Sequence, residues 1–501
     1  GRGLLVGVPE PGIFQGWAWQ LKGESLFSLA AINDVVLDPG TSGSSKRLYV
    51  AVSSGVTASA TESTITGPAP AMGFGIYKSE DDGDTWTKVD VPNTDGAKPT
   101  DLEIDPQDSN QLFAGFLGKG IFRGTRDPMT GTIAWCPLNP GTGGAVCMGA
   151  GGLPDVNNSP FDFVEVTIHR PGIPDAVLYA SFGNCTDPIC EGCNPPIYKS
   201  TDGGLTWTQQ NTGAPVAYSR YTHVLTTHPS DPTKLLYGAV GLYLSHNSAV
   251  DFSSDGLPGD DDIGAKPPPN QLHPDQQAIV FADPGAACTM QACNLGGNDC
   301  VIYSANDGGF YRSTDSGCSW RSRNDGLQIT GFQSIGASPD TPTVIGGTQD
   351  NGTILFSGSS TWSYETGGDT TGTRIDSGDS DRMYSITGGC SVVRSVFRSE
   401  DGGGSWGFEY ETPMGEAAAF YPPMVEDPTS PHPLYLGTNR LHRSTTDASS
   451  FVAVSPALGG TVTFFPDIQR TNVVTAIAVA PDNPDRIYVG YYDGQVWVTD
   501  M

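Results

Sequence analysis

The sequence predicts an all-β fold made of repeated units of four short antiparallel strands, and three observations carry that prediction. Glycine (65) and proline (39) make up about a fifth of the 501 residues, well above the ~12% of average chains, while aromatic and β-branched residues fill the stretches between them. No apolar run reaches the ~18 residues of a membrane-crossing helix, so no helix of this chain is expected to span a bilayer. A pattern of about 55 residues recurs from end to end, the size expected of one four-stranded propeller blade. About nine units can be counted, eight or ten being the alternatives where copies are weak. The expected architecture is therefore one large β-propeller over residues 1–501, with two smaller rings as the other option.

The first half of each unit is an apolar run ending in Asp-Pro or a variant, a turn, and a strand centred on an aromatic or apolar residue. VVLDPGTSGSSKRLYVAV from Val35, LEIDPQDSNQLFAGF from Leu102, LTTHPSDPTKLLYGAV from Leu225, MVEDPTSPHPLYLGT from Met424 and IAVAPDNPDRIYVGYY from Ile477 are clear copies. Weaker ones start near Val166, Ile279, Ile335 and Arg374.

The second half is a strand such as GIYKS or SVFRS, followed by Ser-x-Asp-x-Gly-x-Ser/Thr-Trp. Four copies keep the full spacing: Ser79, Asp81, Gly83, Thr85, Trp86; Ser200, Asp202, Gly204, Thr206, Trp207; Ser313, Asp315, Gly317, Ser319, Trp320; and Ser399, Asp401, Gly403, Ser405, Trp406. Degenerate copies span Ser245 to Phe252, Ser357 to Trp362 and Ser444 to Phe451. Between two strands this is a hairpin loop, in which Ser and Asp side chains bond nearby backbone N–H groups and Gly takes a positive φ. Tryptophan folds back onto the sheet. Burying ~150–250 Å² at ~25 cal/mol per Å² is worth at most about 4–6 kcal/mol, against ~1 kcal/mol for a loop hydrogen bond, so Trp should outweigh Asp in stability.

The last unit stops at QVWVTDM, where its hairpin loop and fourth strand should follow. The N-terminal segment GIFQGWAWQL, with Trp17 and Trp19 alternating, is the expected donor, and residues 13–21 are predicted to complete the final blade.

The Ser-x-Asp-x-Gly-x-Ser/Thr-Trp loop resembles the Asp-box, or BNR repeat, of sialidases, two-propeller xyloglucanases and the sortilin (Vps10) luminal domain. The resemblance covers essentially the whole chain and implies the propeller fold, because Asp-boxes are structural loops in proteins of unrelated activity. A second series, LHPDQQAIVFADP from Leu272, NDGG at Asn306, GGTQDNGT from Gly346 and the GGD ending at Asp369, resembles a group of secreted propellers described as sortilin-like or BNR glycosyl hydrolases. That group carries H-x-D-x-H, NDGG, GGxQDNG and GGD in this order. Here His273 and Asp275 match the first motif while Gln277 replaces its second His.

On the functional reading, His273, Asp275, Asp307, Asp350 and Asp369 converge at one mouth of the ring, where carboxylates and a His could hold a metal or form an acid/base pair. Asp275, Asp307, Asp350 and Asp369 are the candidate catalytic carboxylates; His273, Asp350, Asn351 and Asp369 are the candidate ligand-binding residues. On the structural reading, NDGG and QDNG are tight hairpin turns and HPD is another turn. A separate acidic stretch, DFSSDGLPGDDDIGAKPPP, places Asp255, Asp260, Asp261 and Asp262 in a Gly-rich loop, the hard oxygen ligands that Ca²⁺ favours, and calcium is the one cofactor expected. Nucleotide, haem and flavin signatures are missing.

The balance of 55 acidic against 26 basic residues gives a net charge of −29, which disfavours nucleic acid and anionic membranes as partners. Ten cysteines, at 136, 147, 185, 190, 193, 288, 293, 300, 318 and 390, cluster in Gly/Pro loops as disulfides of an oxidising compartment would. The rival is a metal on Cys185, Cys190 and Cys193, which lacks a clear fourth ligand. Together these features predict a secreted or surface protein whose leader has been removed. Its first expected role is a non-catalytic scaffold binding a protein, a glycan or neighbouring subunits. The alternative is a glycoside hydrolase or lyase with paired carboxylates in a cleft on one face, and a redox or assembly factor of the photosystem-associated propeller type ranks last.

Overall fold

The structure, a computed structural model, describes all residues except 1–3, 10–16, 28–30, 42–45, 54–72, 159–160, 162, 170–175, 184–192, 212–214, 216–221, 254–271, 283–287, 292, 325–326, 328–329, 360, 390–393, 414, 428, 430, 465–467, 482 and 501. The chain divides into two compact units, Gly1–Asp260 with Pro269–Leu327, and Asp261–Pro268 with Gln328–Met501. Both are built from antiparallel sheets whose strands follow in chain order. Among the described residues the only helical segments are Glu24–Phe27 and the 3₁₀ turn Cys293–Leu295.

The first unit holds five such sheets. The first sheet runs Ala31–Leu37, Leu48–Ser53, Gly75–Ser79, Thr87–Val89, and the second Pro99–Ile104, Gln111–Phe116, Gly120–Arg126, Ile133–Pro137. The third runs Val164–His169, Val177–Phe182, Ile197–Ser200, Thr208–Gln209. The fourth has three strands, Val224–Thr227, Leu235–Gly238 and Leu242–Ser245, with a single bridge from Leu244 to Ser253 on its outer side. The fifth runs Gln276–Phe281, Ile302–Asn306, Gly309–Ser313, Arg321–Ser322.

The second unit holds, besides the two-stranded sheet of Thr461–Phe464 and Ile468–Thr471, four: a sixth sheet from Phe332–Ala337 to Ser363–Thr366, a seventh from Thr370–Asp376 to Gly407–Glu411, an eighth from Met424–Glu426 to Val452–Ala453, and a three-stranded ninth, Val474–Ala480, Asn483–Tyr491, Val496–Asp500. These are β-propeller blades. Most of their apolar clusters join consecutive sheets, as when Tyr49 and Ala51 of the first pack with Leu102, Leu112 and Ala114 of the second, or Ile345 and Leu355 of the sixth with Ile375 and Met383 of the seventh. Both faces of a blade are covered in this way, which is why central strands such as Val177–Phe182 read as continuous apolar runs and are buried throughout.

Trp17–Lys22 pairs with Leu4–Pro9 as an antiparallel hairpin. Residues 13–16 lie outside the described residues, so the closing role read for 13–21 is carried forward as a proposal.

The hairpin loops form one hydrogen-bond device. In the loop of the fifth sheet, the Ser313 hydroxyl donates to Asp315 Oδ1 (2.8 Å) and accepts the Gly317 N–H (2.8 Å). Asp315 also accepts the Ser319 N–H (2.8 Å) and hydroxyl (2.6 Å), and the Trp320 indole N–H donates to the Gly317 carbonyl (2.8 Å). The loops at Asp81, Asp202 and Asp401 repeat these bonds. Two consecutive residues take positive φ, Ser316 (61°) and Gly317 (94°) in this loop. The degenerate loops keep the same turn with alanine in the glycine place, at Ala249 (66°) and Ala448 (67°), with Asn247 and Thr446 replacing the Asp.

A second device straps sheets together from their first strands. Asp34 accepts the Leu102 N–H of the next sheet (2.9 Å), and Asp101 in turn accepts the Val166 N–H of the sheet after (2.5 Å). Asp101 also accepts the Leu102 N–H (2.8 Å), so the two carboxylates share one donor. Burial raises the Asp34 carboxyl to about 6 against these stabilising bonds, and raises Asp101, Glu103 and Glu165 well above the usual carboxylate range, with neighbouring carboxylates adding to it.

Candidate active site

The motifs of the fifth sheet gather at the end opposite its Trp320 loop. Gln276 begins the first strand and pairs with Asn306, the last residue of the second; Asn306 also pairs with Gly309 across the tight turn. Asp275 and Asp307 therefore flank the same strand end, and a carboxylate oxygen of each lies within 4.8 Å of the other. Asp275 sits at φ 61°, held by its N–H to the Val240 carbonyl (2.9 Å). Asp307 Oδ1 accepts the Gln277 amide N–H (3.1 Å), so the residue that replaces a second His in the motif holds this carboxylate. Both aspartates are half-buried.

A buried polar network fixes the turn beneath them. Ser304 donates to Gln276 Oε1 (2.7 Å), Gln276 Nε2 donates to the His273 carbonyl (2.7 Å), and Asn306 Oδ1 accepts the Gly308 N–H (3.1 Å). His273 is 7% exposed, and its ring packs on Gly308, where a Cβ would come within 2.4 Å of ring carbon. Gly308 is thus glycine because the His273 ring occupies the space of a side chain. His273 thus packs within the turn, with its Nδ1 3.1 Å from the Pro274 carbonyl.

The second unit carries its own turn cluster at one end of the sixth sheet. Gly352 pairs back to Thr348 (N···O 3.0 Å) and donates to the Gly368 carbonyl (2.9 Å); a Cβ on it would lie 1.8 Å from the Thr366 carbonyl oxygen. Asp350, at φ 63°, donates its N–H to Asp369 Oδ1 (2.9 Å), so QDNG and GGD are tied together as the sequence order anticipates. Asn351 closes the turn on the Gln349 carbonyl (2.7 Å). Two residues that no motif announces join them. Tyr421 donates to Gln349 Oε1, and Arg394, 4% exposed, donates to the Ala419 carbonyl (3.0 Å). Burial depresses the Arg394 guanidinium to about 10, and Asp369 opposes that shift.

The candidate calcium residues Asp255, Asp260, Asp261 and Asp262 lie outside the described residues. Among the described residues the disulfides are Cys136–Cys147, Cys288–Cys300 and Cys293–Cys318; Cys193 is also disulfide-bonded, which removes the thiolate the metal alternative needed there, while Cys185 and Cys190 lie outside the described residues. No described helix is long and apolar enough to cross a membrane.

Chemically, two half-buried carboxylates this close on rigid turns make a pair able to hold and exchange one proton. Oxygens this close are compatible with the closer glycosidase arrangement, carboxyl groups ~5–5.5 Å apart, in which one carboxyl protonates the leaving oxygen and the other attacks the sugar.

No family model matches the chain. It is 32% identical over 148 residues to the xyloglucanase Xgh74A of Acetivibrio thermocellus, a match covering 28% of this chain and 16% of that enzyme. The chain thus matches about a sixth of the length of its curated relatives. Among solved structures, an ancestral GH74 enzyme aligns over 96% of this chain and 72% of its own with a TM-score of 0.53 and 14% identity, a likeness of fold. The GH74 xyloglucanase from Xanthomonas campestris aligns over 100% of this chain and 81% of its own at 16% identity, with a TM-score of 0.32 that carries no argument.

Proposed function

We propose that the protein is a glycoside hydrolase acting on a polysaccharide of the xyloglucan class. The observation that carries this reading is the Asp275–Asp307 pair, two carboxylates within 4.8 Å on rigid turns at one strand end. The local likeness to a xyloglucanase supports the substrate class. We assign Asp307, which the Gln277 amide holds in place, the role of base or nucleophile, and Asp275 that of the acid. The test is release of reducing sugar from xyloglucan by the wild type, Asp275→Asn and Asp307→Asn, with melting temperatures as the folding control. Loss of activity in both variants with the fold intact supports the assignment, and unchanged activity in either removes that residue.

A second reading, a non-catalytic scaffold for a glycan or protein, is favoured by one observation: both aspartates occupy turn positions with structural work of their own. Binding of xyloglucan oligosaccharide without hydrolysis would favour it. In either case we read the Ser-x-Asp-x-Gly-x-Ser/Thr-Trp loops as Asp-boxes of the sortilin-like kind and the protein as secreted, the disulfides being the support. Calcium at Asp255, Asp260, Asp261 and Asp262 remains part of this proposal.

A further inference from the structure

The Cys288–Cys300 disulfide differs from the other described ones in having a histidine against both sulfurs. His228, directly after the first strand of the fourth sheet, is 1% exposed, and its Nε2 lies 3.6 Å from Cys288 Sγ and 3.4 Å from Cys300 Sγ. The other ring nitrogen accepts the Ser230 N–H (3.2 Å), which fixes the tautomer with its proton on Nε2, on the side of the two sulfurs and of the Cys288 backbone. The backbone carbonyl of His228 accepts from His169 Nδ1 (2.8 Å), so the backbone that carries the ring is held from a neighbouring sheet. Burial holds His228 down to about 4, which keeps it a neutral donor at neutral pH. Lys234, donating to the Met290 carbonyl (2.8 Å) and 3.8 Å from Asp231, adds a cation to the surroundings of the ring.

The two sulfurs are unequal. Cys300 is 0% exposed and belongs to the apolar cluster of the fourth and fifth sheets, whereas Cys288 is only half-buried at its margin. A thiolate arriving from solvent can reach Cys288 and not Cys300. The leaving sulfur is then Cys300, beside the Nε2–H donor, and thiol–disulfide exchange is fastest when the leaving thiolate is stabilised.

We propose that Cys288–Cys300 with His228 is a thiol-exchange site for a dithiol reductant, opened by attack at Cys288 with Cys300 leaving. In the first step the reductant's thiolate bonds to Cys288 Sγ, the Cys288–Cys300 bond breaks, and Cys300 departs as a thiolate hydrogen-bonded by His228 Nε2–H. In the second, the other thiol of the reductant attacks its own sulfur in the mixed disulfide and releases Cys288. The dithiol ends as a disulfide, the protein as two cysteines, and the two protons they take up are those of the dithiol. Cys293–Cys318 is the natural comparison, since both its cysteines are half-buried like Cys288 and neither lies against a histidine among the described contacts.

The experiment treats the folded full chain with dithiothreitol at fixed pH, quenches with N-ethylmaleimide at intervals and maps labelled cysteines by mass spectrometry. Cys288 and Cys300 should be labelled before Cys293 and Cys318, although each disulfide offers a half-buried cysteine to attack. His228→Phe should slow that opening by about tenfold or more, the weight of one hydrogen bond to a charged atom, and His228→Gln, which keeps an N–H, should recover part of it. The rate at Cys136–Cys147 should not change. Glutathione trapping on the wild type needs no variant, and the adduct should sit on Cys288. An adduct on Cys300, a wild-type rate in His228→Phe, or earlier opening of Cys293–Cys318 each overturns the proposal.

Discussion

Replacing Trp320 by alanine should cost the first unit about 3–5 kcal/mol, the range for removing a buried aromatic side chain. Trp320 is fully buried among Leu244, Ile279, Ile302 and Tyr311, so the truncation forfeits the transfer energy of the indole and leaves a cavity between the fourth and fifth sheets. It also frees the Gly317 carbonyl that the indole N–H satisfies at 2.8 Å. Asp315 accepts three hydrogen bonds in the same loop, from Ser313, Ser319 N–H and the Ser319 hydroxyl. Asp315→Asn keeps one acceptor oxygen and cuts no apolar contact, so about 1–2 kcal/mol is expected, one or two net hydrogen bonds. Trp86 and Trp406 hold equivalent loop positions but are half-buried, and their alanine variants should fall below Trp320→Ala. Urea unfolding followed by far-ultraviolet circular dichroism ranks the variants without relying on the deleted fluorophore. Hydrogen exchange over Ile302–Asn306 and Gly309–Ser313 localises the loss. If Asp315→Asn destabilises as much as Trp320→Ala, the argument that apolar burial outweighs the loop hydrogen bonds is wrong.

Three further outcomes follow from the structure. The raised Asp34 and Asp101 carboxyls mean the folded state binds protons that the unfolded chain has released, so stability is fully present below about pH 4 and is lost as pH rises through about 6; for Asp34 alone the change is at most about 3 kcal/mol, reduced by its residual access to water. Asp34→Asn should flatten melting temperature against pH over this window, and an unaltered slope would show that the carboxyl is not buried as described. Gly352→Ala must displace the Thr366 carbonyl from a 1.8 Å clash at a φ of 69°, so the second unit should lose at least about 1–3 kcal/mol, measured as a lower melting transition; a neutral effect would mean the turn is not formed this way. Millimolar calcium should raise the melting temperature if Asp255 and Asp260 to Asp262 bind it, and an Asp260→Asn, Asp261→Asn double variant should abolish the rise; no shift in the wild type ends that proposal.

What was legible in the sequence is what is local. Ser, Asp, Gly and Trp of each hairpin loop lie within eight residues and bond to one another, so their spacing alone announces the turn, and the strands on either side follow from it. Residues that act across sheets carry no such mark. Asp34 reads as one more acid beside an apolar run, yet its partner is a backbone N–H 68 residues away. The approach of Asp275 to Asp307 depends on the register that sets Gln276 opposite Asn306, which spacing does not state. His273 was singled out because it is a histidine in a motif, and its ring turns out to fill the space above Gly308. Arg394 and Tyr421 sit in stretches with no repeat signature, and His228 stands in the Asp place of an Asp-Pro turn, which says nothing of the sulfurs beside it, so only packing reveals what they touch. The cysteine pairing was likewise beyond spacing: Cys288 joins Cys300 across Cys293, which itself joins Cys318.

The central claim is that Asp275 and Asp307 work as one carboxylate pair on a glycosidic bond. Its most direct test is the rate of reducing-sugar release from xyloglucan by the purified wild type and by Asp275→Asn, Asp307→Asn and the double variant, all confirmed folded by their melting temperatures. The account predicts a measurable wild-type rate and a loss of at least about 10²-fold in each single variant, the weight of one acid/base group. It also predicts little further loss in the double variant, because the two groups act as a unit. Hydrolysis that survives in either single variant, or a wild type that binds xyloglucan without cleaving it, would contradict the account.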